Sequence, residues 1–185
     1  MNRKFHSRIL AFSHFRIFKK QNTNMKISAQ DEYGLRILLR IARSDSEDGL
    51  SIPQLSELEG LSASYVAKLT RTLRLASFIQ STRGQKGGYI LSRPAEEIRI
   101  NDVLVALGGA LFDESFCEGH SGAFRICTNS VDCSVRSLWR VVQRAVDQVL
   151  NQVSLADLMA SEGLSNLALQ RVMEHLNRVA ELEVD

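Results

Sequence analysis

Three cysteines stand close together in the 185-residue chain, as Cys117-x9-Cys127-x5-Cys133, and no cysteine occurs elsewhere. An odd, clustered set is a poor disulfide framework; it suits metal ligation or reactive thiols in a reducing cytoplasm. Thiolates are soft donors that hold iron-sulfur clusters, zinc or copper(I). Gly119 and Gly122, interleaved with the cysteines, let the chain fold around a metal with little strain. The short C-x2-C chelate of zinc knuckles and ribbons is absent. An iron-sulfur cluster therefore leads, ahead of zinc and ahead of metal-free thiols acting as a redox switch. His120 lies three residues beyond Cys117 and is a candidate further ligand, since neutral imidazole binds metals well.

A second chemistry lies upstream. Residues 61–93 contain Lys68, Arg71, Arg74, Arg83, Lys86 and Arg93 without one Asp or Glu. The net charge of the whole chain is only +2, so this is a local concentration of positive charge rather than a generally basic protein. A polyanion is its natural partner. The chain beyond residue 93 reverses the balance, with seven basic against fourteen acidic residues.

The elements that must position these groups follow from periodicity. Ile27 to Arg43 is expected to be helical, with Leu35, Leu38, Leu39 and Ala42 on its apolar face, and the polar stretch Ser44–Gly49 ends it. Ser51-Ile52-Pro53 opens a short second helix that Gly60 stops. Ser62 is the expected N-cap of a third helix running to about Ala76. Val66, Leu69, Leu73 and Ala76 share one face of it, and Ser64, Tyr65, Lys68, Arg71 and Thr72 lie towards the other. Two short helices about a glycine-bearing turn, the second with a basic outer face, form a helix-turn-helix. The β-prone runs Phe78–Thr82 and Tyr89–Leu91 flank Arg83-Gly84-Gln85-Lys86-Gly87-Gly88, a glycine-rich hairpin that reads as a wing carrying Arg83 and Lys86 to DNA. The DNA-contacting candidates are thus Ser62, Ser64, Tyr65, Lys68, Arg71, Arg83 and Lys86.

Farther on, Asn101 is expected to cap a short helix from Asp102 to Leu107, ended by Gly108-Gly109. From there to Cys133 the sequence has little periodicity and reads as a long loop, of the kind usually kept for function. From Val135 an apolar stripe of Leu138, Val142, Ala145, Val146, Val149 and Val153 marks a long helix. It is assigned to a subunit seam, because DNA-reading helices commonly work in symmetric pairs. Ser154–Ser161 forms a further short helix, and Leu164–Leu182 a last amphipathic one. The fold class expected is mainly α with a small β-hairpin wing: a winged helix-turn-helix plus a long dimerisation helix.

No run reaches the roughly 18 apolar residues needed to span a bilayer. Residues 1–24 hold six basic residues and no acid. They are read either as a translated upstream segment, with Met25 the working start, or as a basic tail that adds DNA affinity. The chain shows no nucleophile, base and orienting group in sequence company, and no glycine loop opening a helix to cradle phosphate. An enzyme is not expected.

Taken in order, Met25-Lys26-Ile27-Ser28, Ser62-Ala63-Ser64-Tyr65, Arg83-Gly84-Gln85-Lys86-Gly87-Gly88-Tyr89, the three loop cysteines and Ser137-Leu138-Trp139 resemble the iron-sulfur winged-helix regulators of the IscR, NsrR and RirA type over about residues 25–162. The resemblance implies a cytoplasmic homodimer that binds double-stranded operator DNA and carries a 2Fe-2S or related cluster. Gene control, commonly as a repressor, would follow cluster loss, damage or redox change. Cys117, Cys127 and Cys133 are then the thiolate ligands. Where IscR-like members place a histidine three positions after the last cysteine, this chain has Arg136. Another branch uses an acidic residue just before the N-terminal tyrosine, supplied by the partner subunit, and Glu32-Tyr33 fits it. Glu32 is the first candidate for the fourth ligand and His120 the second. The alternative is an iron-free DNA-binding regulator gated by thiol oxidation or a metabolite. The implied division is an extension at 1–24, the winged helix-turn-helix at 25–108, the cluster loop at 109–133, the dimerisation region at 134–162 and a C-terminal helix at 163–185.

Overall fold

The structure, a computed structural model, describes residues 27–82, 87–110, 127, 129 and 131–182. The basic segment 1–24, the wing tip with Arg83 and Lys86, and Cys117 and His120 lie outside the described residues.

Helix α1 (Ala29–Ala42) opens with a reciprocal cap. The Ser28 hydroxyl accepts the Asp31 N–H, and the Asp31 carboxylate accepts the Ser28 N–H at 3.0 Å, so two otherwise orphaned donors are satisfied. The helix starts two residues later than the hydrophobic pattern suggests, and Ile27 is left exposed. Its buried face is Gly34, Ile37, Leu38 and Ile41, with Leu35, Leu39 and Ala42 packed at the margins. The face is broader than the expected stripe because α1 has neighbours on more than one side. A Cβ on Gly34 would stand 2.5 Å from the Leu107 methyl carbons, so glycine lets the next layer approach.

Helix α2 (Ile52–Glu59) begins with the Ser51 N–H and hydroxyl donating to Gln54 Oε1 at 2.9 and 2.7 Å. It ends at Gly60, whose φ of 65° lies in the left-handed region that glycine enters without strain. Ser62 then caps α3 (Ala63–Leu75), its Oγ accepting the Tyr65 N–H at 3.3 Å. Val66, Leu69 and Leu73 of α3 are fully buried against α1 and α2. Thr70 is equally buried, and its hydroxyl donates to the Val66 carbonyl at 3.0 Å.

Strands β1 (Ile79–Ser81) and β2 (Tyr89–Leu91) pair antiparallel, Ile79 opposite Leu91 and Ser81 opposite Tyr89. Leu50 adds a bridge to the outer side of Tyr89, with N–H to carbonyl distances of 3.1 and 2.9 Å. A single 3-10 turn (Ala95–Glu97) leads into α4 (Ile100–Leu107). This helix starts earlier than expected, and Asn101 lies inside it rather than capping it. A backbone partner takes the place of a side-chain cap: the Ile100 N–H donates to the Val153 carbonyl at 3.0 Å, and the Leu155 N–H returns to the Ile98 carbonyl at 2.8 Å.

That exchange also shortens the long helix. Helix α5 (Ser134–Leu150) stops before Val153, which was expected on its stripe but lies in the core with Leu155. Helix α6 (Leu155–Met159) carries a Ser154–Asp157 capping box, and α7 (Glu162–Leu182) follows. Arg43, just past α1, donates to the carbonyls of Leu158, Met159 and Ala160 at 2.8, 2.9 and 3.2 Å, tying the end of α6 to the first helix. None of the described helices is long and apolar enough to cross a membrane. The architecture is mainly helical with one small antiparallel sheet, a winged helix-turn-helix followed by a long helix.

Candidate functional site

Among the described residues, the side chains expected from the sequence to contact DNA lie on α3 or at its cap. Ser62, Ser64, Lys68 and Arg71 are exposed along it, joined by Arg74, while Tyr65 is half-buried. The helix buries one face so completely that its orientation is set from behind. No acidic side chain interrupts the outer face from Leu61 to the end of β1, so the surface has one sign of charge.

Two arrangements fix the elements around this helix. At the end of α2, just before the turn, the Glu59 side chain is only 2% exposed. Its Oε2 accepts the Arg36 Nε at 2.7 Å and its Oε1 the Arg40 Nε at 2.5 Å. Arg36 and Arg40 are one helical turn apart on α1, so a single carboxylate pins α2 to that face. Arg36 also lies over the Tyr33 ring, 5.5 Å from its centroid, and Tyr33 meets Tyr65 of α3 edge to face at 6.1 Å.

The second arrangement is at the base of the wing. Thr82 and Gly88 close the two strands by mutual hydrogen bonds, and the Thr82 hydroxyl reaches the Asp48 carbonyl at 2.7 Å. A Cβ on Gly88 would stand 2.5 Å from that same carbonyl oxygen. Farther down, Arg93 stacks over Phe78 with 5.3 Å to the ring centroid. The stretch Ser44–Gly49, expected only as a helix-ending loop, thus also buttresses the wing. Nothing local marks it for that role except Gly49, whose φ of 71° and close approach to Tyr89 require glycine.

Of the cysteines, Cys127 and Cys133 are half-buried and neither is in a disulfide. Cys133 is the N-cap of α5, its Sγ accepting the Arg136 N–H at 3.4 Å. Glu32 is exposed in the first turn of α1. It borders a mostly apolar cavity of about 270 Å³ between α1, α4 and α5, lined by Leu35, Leu104, Val146 and Leu150 among others. Beside Glu32, the buried Asp31 Oδ1 has no hydrogen-bond partner among the described residues and faces Gly108. Among the described residues no three His, Cys, Asp or Glu side chains converge as a metal site.

Comparison with known proteins agrees with this architecture. Residues 27–161 match the family model described as Rrf2, iron-dependent transcriptional regulator. The chain is 36% identical over 140 residues to protein rrf2 of Nitratidesulfovibrio vulgaris, which covers 76% of this chain and 91% of that protein. Among solved structures, IscR of T. potens is 30% identical with a TM-score of 0.54, covering 72% of this chain and 85% of its own. The oxidized form of CymR from Staphylococcus aureus is 31% identical with a TM-score of 0.56, covering 72% of this chain and 95% of its own. With the helix-turn-helix, the wing and these relatives in agreement, the chain belongs to the Rrf2 family of DNA-binding, winged-helix transcriptional regulators and is not an enzyme.

Proposed function

We propose that this regulator works in the cytoplasm as a homodimer and senses iron, redox state or nitric oxide through a cluster, 2Fe-2S in type, held by Cys117, Cys127 and Cys133. Glu32 of the opposite subunit is the fourth ligand. The observation that carries the reading is α5: a 17-residue helix with nine apolar residues on one face and not one residue buried, beginning at a cysteine. Val135 and Leu138 are 61% and 57% exposed. An apolar face of that length needs a cover, and a second copy of the same helix supplies it with the two-fold symmetry that paired recognition helices use.

The donor chemistry fits such a group. Cys127 and Cys133 are half-buried, outside any disulfide and soft donors, and the Cys133 Sγ accepts the Arg136 N–H. Glu32 stands at the rim of the cavity lined by α1, α4 and α5 and is exposed, as a ligand offered to a second subunit must be. When bound, the cluster supplies redox-sensitive iron-sulfur bonds that iron loss or oxidants break. The chain's own residues then carry the consequence, because Tyr33, next to Glu32, rests directly against Tyr65 on the DNA-reading helix.

DNA recognition is assigned to Ser62, Ser64, Tyr65, Lys68 and Arg71 in the major groove, with Arg83 and Lys86 of the wing alongside. Anaerobic purification followed by a visible spectrum with iron and sulfide analysis tests the sensor. A cluster gives broad thiolate-to-iron bands at roughly 400–600 nm. A colourless, iron-free protein would overturn the cluster and favour gating by thiol oxidation or a metabolite.

A further inference from the structure

The cavity between α1, α4 and α5 has all its described walls in one subunit. Its volume is about 270 Å³, and Leu35 of α1, Leu104 of α4, and Val146 and Leu150 of α5 give it an apolar lining. Each of these four side chains is half-buried. The helical repeat sets Val146 and Leu150 on one edge of the apolar face of α5, roughly 80–180° around the helix from Leu138 and Val141. Leu138 and Val141 are 57% and 54% exposed. The face thus divides: one edge turns to the subunit's own α1 and α4, and the other is left for the seam. The charge on the cavity wall has one sign. Among the described residues lining it, Asp31 and Glu32 are the only charged ones, and neither has an ion-pair partner among the described residues.

We propose that this cavity is a binding site for a compact apolar cation, an arylalkylamine in chemical class. The ring lies between Leu104, Val146 and Leu150, and the ammonium lies towards Asp31 and Glu32. Opposite charge attracts a cation to that end and repels an anion from it. Size narrows the class. A dry apolar cavity of about 150 Å³ takes one benzene ring, so 270 Å³ takes a ring with a short aminoalkyl chain. It falls below the roughly 300 Å³ at which sites for drug-sized ligands begin.

The test uses the full chain without iron, so that no cluster engages Glu32 and the outcome is independent of the sensor reading. Phenethylamine is titrated by calorimetry, with 2-phenylethanol and phenylacetate as its neutral and anionic counterparts. Saturable binding of the amine is expected, about threefold to fivefold weaker binding of the alcohol, and none of phenylacetate. Glu32→Gln should weaken the amine by about the same factor and leave the alcohol unchanged. Val146→Phe fills the cavity and should abolish binding, whereas Leu138→Phe, on the other edge of α5, should not. Leu104→Phe fills it from the opposite wall and serves if Val146→Phe fails to fold. No saturable binding to the unaltered protein leaves the cavity to the chain itself or to a second subunit and overturns the proposal. Phenylacetate binding as tight as that of the amine overturns it too, as does amine binding that survives a folded filled variant.

Discussion

Replacing Glu59 with alanine removes the acceptor that joins α2 to Arg36 and Arg40. Stripping one partner from a fully buried ion pair costs about 3–5 kcal/mol, because a charge is left without water or counterion. Here the carboxylate is 2% exposed but the two arginine side chains are 44% and 46% exposed, so both cations regain water when the acid is gone. The expected cost is therefore below that range, about 2–3 kcal/mol, mainly the loss of two charge-assisted hydrogen bonds. At roughly 2–4 °C per kcal/mol for a chain of this size, the melting temperature should fall by about 4–12 °C. Urea unfolding at fixed protein concentration reads the loss directly, with an unchanged slope showing that the unfolded state is not the cause. Glu59→Gln keeps one good acceptor and should lose about half as much. In an Arg36→Ala/Arg40→Ala background, Glu59→Ala should cost much less than alone, since its partners are already absent. A Glu59→Ala protein within about 0.5 kcal/mol of the unaltered one would refute the reasoning and put the clamp among ordinary surface ion pairs.

Other expectations follow from the same surfaces. Lys68→Ala and Arg83→Ala should each weaken operator binding several-fold and lower the slope of log affinity against log salt by about one, measured by fluorescence anisotropy across a salt series; unchanged slopes in both would remove α3 and the wing as the DNA face. Leu138→Asp, at a position that is 57% exposed in one subunit, should leave the subunit folded by circular dichroism but sediment as a monomer. Persistence of the dimer would move the seam away from α5. Glu32→Ala should alter the visible and electron paramagnetic spectra of the loaded protein without changing its melting in the iron-free form. An unaltered spectrum strikes Glu32 from the ligand set.

The parts of the fold that were legible in the sequence are those decided within a few residues. The Ser62 cap, the Val66–Leu69–Leu73 stripe, the Gly60 stop and the pairing of 79–81 with 89–91 all depend on neighbours along the chain. What failed was decided across the chain. Helix α4 starts at Ile100 because Val153 reaches back to its first N–H, a partner some fifty positions away that no local capping rule reveals. For the same reason Val153 left the stripe of α5 and entered the core. The clamp on Glu59 and the Thr82–Asp48 bond were missed in the same way, since an acid at a helix end and a threonine at a strand end look like surface residues until their partners are placed. The cysteine spacing suggested soft-ligand chemistry. Its three-dimensional arrangement was not legible, because Cys117 falls outside the described residues, and among those residues much of the apolar face of α5 stays exposed.

The most direct test of the whole account is a pair of DNA titrations under anaerobic conditions, with cluster-loaded protein and with the same protein after the iron is removed by chelation. The account predicts binding to a two-fold symmetric duplex, steeply salt-dependent in both forms, with an affinity that changes at least tenfold when iron is lost. Equal affinity in the two forms, from a protein shown to carry stoichiometric iron and sulfide, would contradict it.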